Sequence, residues 1–303
     1  MPRDEMGETV FLGYDQAALD REYNNSGKVA NSAEYIARYP AESAGAREAL
    51  PARLDLRYGP RAGETLDVFL PEGHGPWPVH VFVHGGYWRS LDKQDFSFVA
   101  RGFQPAGVLV AVINYALIPE IDMDELVRQV RASVAWLHRN VAALGGDPAR
   151  LTVSGHSAGG HLVAMLMATD WGRFAGLPSD VVKAGCGISG LYDLEPIRLS
   201  YLNETLRLAP ETARRNSPVH LVPPAGGRLL LAVGAKEGDE YHRQTESLAA
   251  AWRRCGLAVE VLDMAGHDHF SIITELADHR TALSRAILAQ VPPSGTGRGP
   301  AAR

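Results

Sequence analysis

The sequence predicts an α/β fold, a mostly parallel central sheet flanked by helices and carrying a helical cap. Three observations predict it. Strand-length apolar runs alternate with helical patterns from about residue 79 to residue 291, which calls for parallel strands with right-handed crossovers. One of these runs breaks off at a serine held between glycines and continues at once as an apolar helix. Another runs directly into a histidine and two glycines. Composition fits one sizeable globular domain: 303 residues, 46% hydrophobic and 21% charged. Length alone leaves one large domain or two small ones open, and the unbroken alternation favours one.

In chain order, residues 1–50 are polar, with Tyr14, Tyr23, Tyr35 and Tyr39 spaced through them and no strand-like alternation. They are expected to form a helical arm against the body or over the site mouth, a floppy leader being the alternative. Leu54 to Tyr58 and Leu66 to Leu70 flank a Gly-Pro turn and predict an antiparallel pair. Val79 to Val83 is a buried strand ending in His84-Gly85-Gly86-Tyr87-Trp88. A helix around Phe96 to Pro105 and a strand over Val108 to Ile113 follow. Met123 to Ala143 is an amphipathic helix with Leu126, Val130, Val134 and Leu137 on one face, Asp122 as its cap and Gly145-Gly146 as its stop.

Leu151 to Val153 reads as a strand and Ala158 to Thr169 as a helix. Val181 to Ile188 is the next strand. Residues 189–224 are too long and irregular for an ordinary crossover, and Pro196, Pro210 and Pro218 would break them into short helices capping the site. Leu229 to Val233, a helix from Glu240 to Cys255, a last strand over Val259 to Leu262 and a last helix from Phe270 to Val291 complete the body at 51–291. Residues 292–303 read as a disordered tail.

Between the strand and helix at the centre, Gly155-His156-Ser157-Ala158-Gly159 matches G-x-S-x-G, the turn that presents a serine hydroxyl at the top of a sheet. By chance such a match turns up in roughly one chain in ten of this length, so the flanking strand and helix carry the weight. A serine needs a base, and the base needs a carboxylate to hold its tautomer. In this architecture both follow the serine on late loops, acid first. The loop 234–240 offers Glu237 and Asp239. Glu237 is preferred, because Asp239 stands where a carboxylate would cap the next helix. The loop 263–270 offers His267 and His269. His269 is preferred, because the apolar residues after it would fix its position. Gly85 and Gly86, with the amide of Ala158, are the expected oxyanion donors. Tyr87, Trp88 and Tyr115 are candidate pocket walls, Trp88 being equally a packing residue. His84 is expected to brace the oxyanion loop, His161 to pack, and Asp193 to satisfy backbone donors.

Charge and cysteine content exclude several classes. A formal net charge of -5 and a pI near 6.1 leave no footprint for nucleic acid or an anionic membrane. No apolar run approaches the ~20 residues of a membrane span, and the acidic N-terminus lacks the pattern of a secretion signal. Cys186 and Cys255 read as reduced thiols of a cytoplasmic protein. His267-Asp268-His269 finds no further ligands to make a metal site. The expected partner is a small-molecule substrate, without metal or other cofactor; the oligomeric state stays open, a homodimer included.

HGGYW at His84 to Trp88, GHSAGGHL at Gly155 to Leu162, SGLYDLEP at Ser189 to Pro196 and the closing His269-Phe270 resemble the metal-independent kynurenine formamidases, or arylformamidases. These belong to the α/β-hydrolase superfamily, near the hormone-sensitive-lipase-like esterases. The resemblance covers roughly Leu54 to Val291. It implies an α/β-hydrolase fold, Ser157 as nucleophile, His269 as base, the acid in the 236–239 loop, and amides near Gly85, Gly86 and Ala158 as oxyanion donors. A glutamate at the preferred acid position, where aspartate is commoner, and the polar arm are departures. The expected chemistry is hydrolysis of an aryl formamide such as N-formylkynurenine through an acyl-enzyme. A carboxylesterase or carbamate hydrolase for small aryl esters is the nearest alternative, and a ligand-binding protein on an inactive hydrolase scaffold an alternative of another class.

Overall fold

The computed structural model describes residues 8–224 and 226–293; most of the expected tail, from residue 294 on, lies outside them. Eight strands form one sheet: β1 (Ala52–Arg57), β2 (Thr65–Phe69), β3 (Trp77–Val83), β4 (Leu109–Ile113), β5 (Gly146–His156), β6 (Val182–Ile188), β7 (Arg228–Gly234) and β8 (Ala258–Met264), in the order β1-β2-β4-β3-β5-β6-β7-β8. The β1–β2 and β2–β4 pairs are antiparallel, and the remaining pairs are parallel. The apolar runs of β3, broken only by the buried His80, and of β4 have this cause. Val79, Val81 and Val83 pack into the core on one face, and Phe82, Val110 and Val112 into the core on the other, so neither face meets water.

The helices in chain order are α1 (Gln16–Tyr23), α2 (Asn25–Lys28), α3 (Ser32–Ala49), α4 (Ala100–Phe103), α5 (Met123–Asn140), α6 (Ala158–Met167), α7 (Trp171–Ala175), α8 (Glu195–Leu199), α9 (Asn203–Leu206), α10 (Pro210–Arg215), α11 (Asp239–Arg254) and α12 (Ala282–Leu288). In α5 the stripe Leu126, Val130, Val134 and Leu137 is buried, and the Asp122 carboxylate accepts the Glu125 amide at 2.8 Å. The arm is helical over α1–α3 and tied down. Leu19 and Tyr23 are fully buried. Tyr39 donates to the Phe270 carbonyl at 2.7 Å.

Several local expectations are corrected. The helix expected around Phe96 to Pro105 is mostly 3₁₀ turns with the single α-turn α4. β5 is eleven residues long and starts at Gly146; its polar first half hid it. Pro196, Pro210 and Pro218 stand in the first turns of short helices, starting them where a missing N–H costs nothing. The last helix is split into a 3₁₀ segment, Ile272–Ala277, and α12. Between them Asp278 accepts the Arg280 amide at 2.9 Å and Thr281 caps Ser284 at 3.3 Å, side-chain bonds that compete with helix continuation.

Besides His269, four histidines are buried among the described residues: His80, His84, His156 and His161. Burial pushes their pKa below the ordinary 6.5, to about 3 for His80 and about 4 for His161. On unfolding below about pH 6.5 each takes up a proton that the folded state refuses, so their stability contribution is full above that pH and falls below it. The slope reaches ~1.4 kcal/mol per pH unit per histidine. The urea midpoint should therefore be clearly lower at pH 5.0 than at pH 7.5; equal midpoints would contradict the buried, neutral assignment.

Candidate functional site

At the C-terminal end of β5 the chain turns so sharply that Ser157 adopts φ 57° and ψ -120°. A non-glycine residue there stores strain of order 1–3 kcal/mol. The turn is possible because its neighbours lack side chains: a Cβ on Gly155 would lie 2.4 Å from the Gly159 carbonyl oxygen, and one on Gly159 2.0 Å from that of Val83. The Ser157 amide donates to the Ile188 carbonyl of β6 at 2.8 Å, and α6 starts at the next residue.

His269 comes from the loop after β8. Its Nε2 lies 3.1 Å from Ser157 Oγ, and its Nδ1 lies 2.7 Å from Glu237 Oε2. A carboxylate only accepts, so the ring carries its proton on Nδ1 and turns the Nε2 lone pair to the hydroxyl. Glu237, in the loop after β7, is fully buried by its side chain. Its Oε1 accepts the Ser189 hydroxyl at 2.5 Å and the Gly234 amide at 2.7 Å. The loops bearing base and acid are joined directly, Lys236 N–H donating to the His267 carbonyl at 3.0 Å. His156 holds the base from behind: its Nε2–H donates to the His269 carbonyl at 2.8 Å and its ring packs at 4.7 Å on that of His269. Tyr241 packs on the same imidazole at 4.8 Å.

The structure thus brings Ser157, His269 and Glu237 together and leaves the alternatives apart. The His267 ring pairs with Glu275 at 3.5 Å. Asp239 is the first residue of α11, which begins one residue earlier than expected, with Gly238 as a cap that makes no side-chain bond. Asp239 therefore favours the helix dipole rather than capping it.

After β3, Gly86 takes φ 104°, and a Cβ on it would lie 2.1 Å from the Ser90 carbonyl oxygen. Gly85 approaches the elbow so closely that its Cβ would lie 3.1 Å from that of Ser157. His84 Nδ1–H donates to the Gly85 carbonyl at 2.8 Å, and its ring stacks on Tyr115 at 4.2 Å. Holding that carbonyl turns the Gly85–Gly86 peptide over, so the Gly86 N–H points the opposite way. Gly86 lines the same cavity as Ser157 and His269. Ala158 opens α6, and its amide has no preceding helical turn to receive it.

Two expected pocket walls are corrected. Trp88 is fully buried, and its indole N–H donates to His161 Nδ1 at 3.1 Å. His161 in turn donates to the Asn216 carbonyl at 2.7 Å. Tyr115 is buried behind the oxyanion loop, its hydroxyl donating to the His84 carbonyl at 2.8 Å. Of the three, Tyr87 alone lines the cavity. Its hydroxyl donates to the Tyr23 carbonyl at 2.7 Å, and Asn25 of the arm reaches both that hydroxyl, at 3.1 Å, and the Tyr241 hydroxyl, at 2.6 Å. The cavity measures about 340 Å³, within the range of small-molecule sites. Its further walls are Tyr39, Arg89, Phe96, Tyr201 and Phe270. Ser189, His156 and the arm residues were not singled out as site residues. Ser189 opens the SGLYDLEP motif that carries part of the resemblance, but nothing in that motif assigns it a role.

Comparison with known proteins agrees with this geometry. The family model described as BD-FAE matches residues 66–251. A kynurenine formamidase of Danio rerio is 36% identical over 252 residues, covering 81% of this chain and 84% of its own. The chain belongs to the BD-FAE family. Within it the chain is an arylformamidase-like α/β-hydrolase. A second kynurenine formamidase, from Salmo salar, is 36% identical over 78% of this chain and 80% of its own. Among solved structures, a candidate thioesterase from Silicibacter sp. superposes with a TM-score of 0.79 at 32% identity, over 89% of this chain and 98% of that one. Its fold and the eight-stranded sheet described above are those of an α/β-hydrolase.

Among the described residues no three His, Cys, Asp or Glu side chains gather as a metal site, and no helix is long and apolar enough to cross a membrane.

Proposed function

We propose that this hydrolase cleaves an aryl formamide, N-formylkynurenine in the first place, through a formyl-enzyme. The single observation that carries the chemistry is the continuous chain Ser157–His269–Glu237 opening into an aromatic-walled cavity. Ser157 Oγ attacks the formyl carbon while His269 Nε2 takes its proton, and the amides of Gly86 and Ala158 receive the charge that builds on the formyl oxygen. The tetrahedral adduct collapses as His269 returns the proton to the aryl nitrogen, releasing the amine. Water, activated by the same imidazole, then releases formate and restores the serine. The aryl amine is a better leaving group than an alkyl amine, and the formyl carbon is unhindered, so no large acyl pocket is required. The kynurenine formamidase relatives support this substrate, and the thioesterase relative supports activated esters as a second class.

The test is a comparison of kcat/KM for N-formylkynurenine and p-nitrophenyl acetate. Stoichiometric formate and kynurenine at an efficiency at least comparable with the ester is the expected result; rapid ester turnover with the formamide untouched would overturn the substrate and leave an esterase.

A second expectation concerns the oxyanion loop. Gly86→Ala places a methyl against the Ser90 carbonyl and forces a left-handed φ on alanine, so the loop must shift. Loss of one oxyanion donor should lower kcat by ~10²–10³ with KM little changed, read in steady-state kinetics at matched folded fraction. We also read the enzyme as cytoplasmic; its two free thiols, Cys186 and Cys255, support that reading.

A further inference from the structure

The cavity wall carries a charge the hydrolytic chemistry does not use. Arg89 lines the cavity with Ser157 and His269, and it is the sole Lys or Arg among the residues that do; no Asp or Glu lines it. In a chain with more acidic than basic residues, 35 against 30, a cation beside a reaction centre that no carboxylate pairs with among the described residues is a chemical signal. Its Nη1 donates to Thr205 Oγ1 of α9 at 3.0 Å, and its backbone amide to the Gly86 carbonyl at 3.1 Å. Main chain and side chain are therefore both fixed, one on the oxyanion loop and one on the cap. Among the described residues nothing accepts from Nε or Nη2, the edge of the guanidinium that binds a carboxylate through two parallel hydrogen bonds. Elsewhere exposed arginines take carboxylates: Arg38 pairs with Glu42, Arg128 with Glu125 and Arg280 with Asp278.

We infer that Arg89 is a specificity-determining residue that receives a carboxylate on the leaving group of the substrate, so that the preferred aryl formamide is one whose leaving group carries that carboxylate. The inference rests on the formamide reading and narrows it. Asn24 lines the same cavity, and its side-chain NH₂ is a further donor for the same head group. An arginine partly screened from water and already immobilised loses little side-chain entropy on accepting a carboxylate. A charge-assisted pair of this kind corresponds to roughly tenfold or more in affinity.

The experiment measures kcat/KM for two matched pairs. One is N-formylkynurenine and the same compound with its carboxylate capped as the primary amide. The other is the acetate ester of 4-hydroxyphenylacetate and phenyl acetate. For the wild type the carboxylate-bearing member of each pair should be preferred by roughly tenfold or more, chiefly through KM. Arg89→Gln should bring the ratio close to one, and Arg89→Lys should keep part of it. A wild-type ratio near one, or an Arg89→Gln variant that loses both members equally, as a merely structural link to Thr205 would produce, overturns the inference. If neither formamide is cleaved, the formamide reading fails, and the ester pair alone decides for or against Arg89.

Discussion

Ser157→Ala should lower kcat on any substrate by ~10⁶, leaving a residual ~10³–10⁴ over water from the oxyanion amides and binding. The fold should survive. Among the described residues the Ser157 side chain makes one hydrogen bond, to His269, and alanine keeps the Cβ and the strained backbone of the elbow. KM for a cleavable substrate, or Kd for the product amine, should change by less than a few fold, because the hydroxyl acts on the reacting carbon rather than on the leaving group. His269→Ala should cost about as much, and the double variant little more, since the two groups work as one unit. Labelling by a fluorophosphonate, read as a mass increase on the peptide carrying Ser157, separates nucleophile from bystander. A wild-type chain that hydrolyses esters but takes its label elsewhere would refute the assignment.

How far this site could be read without coordinates depends on whether its parts are local. The elbow is local: a strand, a glycine, the serine, a small residue and a helix follow each other directly, and each is required by the contact its neighbour makes. The HGG loop is local for the same reason. Helix-end chemistry favours Glu237 over Asp239 from sequence, and the structure brings Glu237 to His269, although the capping role expected of Asp239 is not observed. What the sequence did not show is what distant segments do to one another. The sequence leaves Trp88 open between pocket wall and packing residue, and two left-handed residues in succession, Tyr87 at φ 48° and Trp88 at φ 59°, decide it by turning the indole inward onto His161. The arm reads as polar and unpatterned because Leu19, Tyr23 and Tyr39 are its only large buried apolar residues among those described, its other buried positions being the polar or small Asn25, Ser32, Ser43 and Ala46. One of its contributions to the site, Asn25 bonded to Tyr87 and Tyr241, has no periodicity to find. The split of the last helix depended on Asp278 and Thr281 bonding to local amides, a competition that apolar spacing does not register.

Glu237→Gln should lower kcat by about 10⁴, and the hydrogen-bond pattern around the carboxylate says why. Oε1 accepts from the Ser189 hydroxyl and from the Gly234 amide, and Oε2 faces His269 Nδ1. An amide in that place must turn its NH₂ to one side. Turned toward Gly234 it meets a backbone N–H that cannot move its proton. Turned toward His269 it meets a ring that can, by shifting the proton from Nδ1 to Nε2. The second arrangement has the lower energy, and it puts a hydrogen where the serine needs a lone pair. The variant should therefore fold, keep substrate binding and lack a base, and its imidazolium would have no counter-charge in a buried site. Ser189→Ala leaves the carboxylate and the Gly234 bond in place, so it should cost about tenfold or less by the ordinary worth of one hydrogen bond. Asp239→Asn should stay near wild type. A Glu237→Gln variant within tenfold of wild type, or an Asp239→Asn variant as impaired as it, would transfer the acid to the other carboxylate.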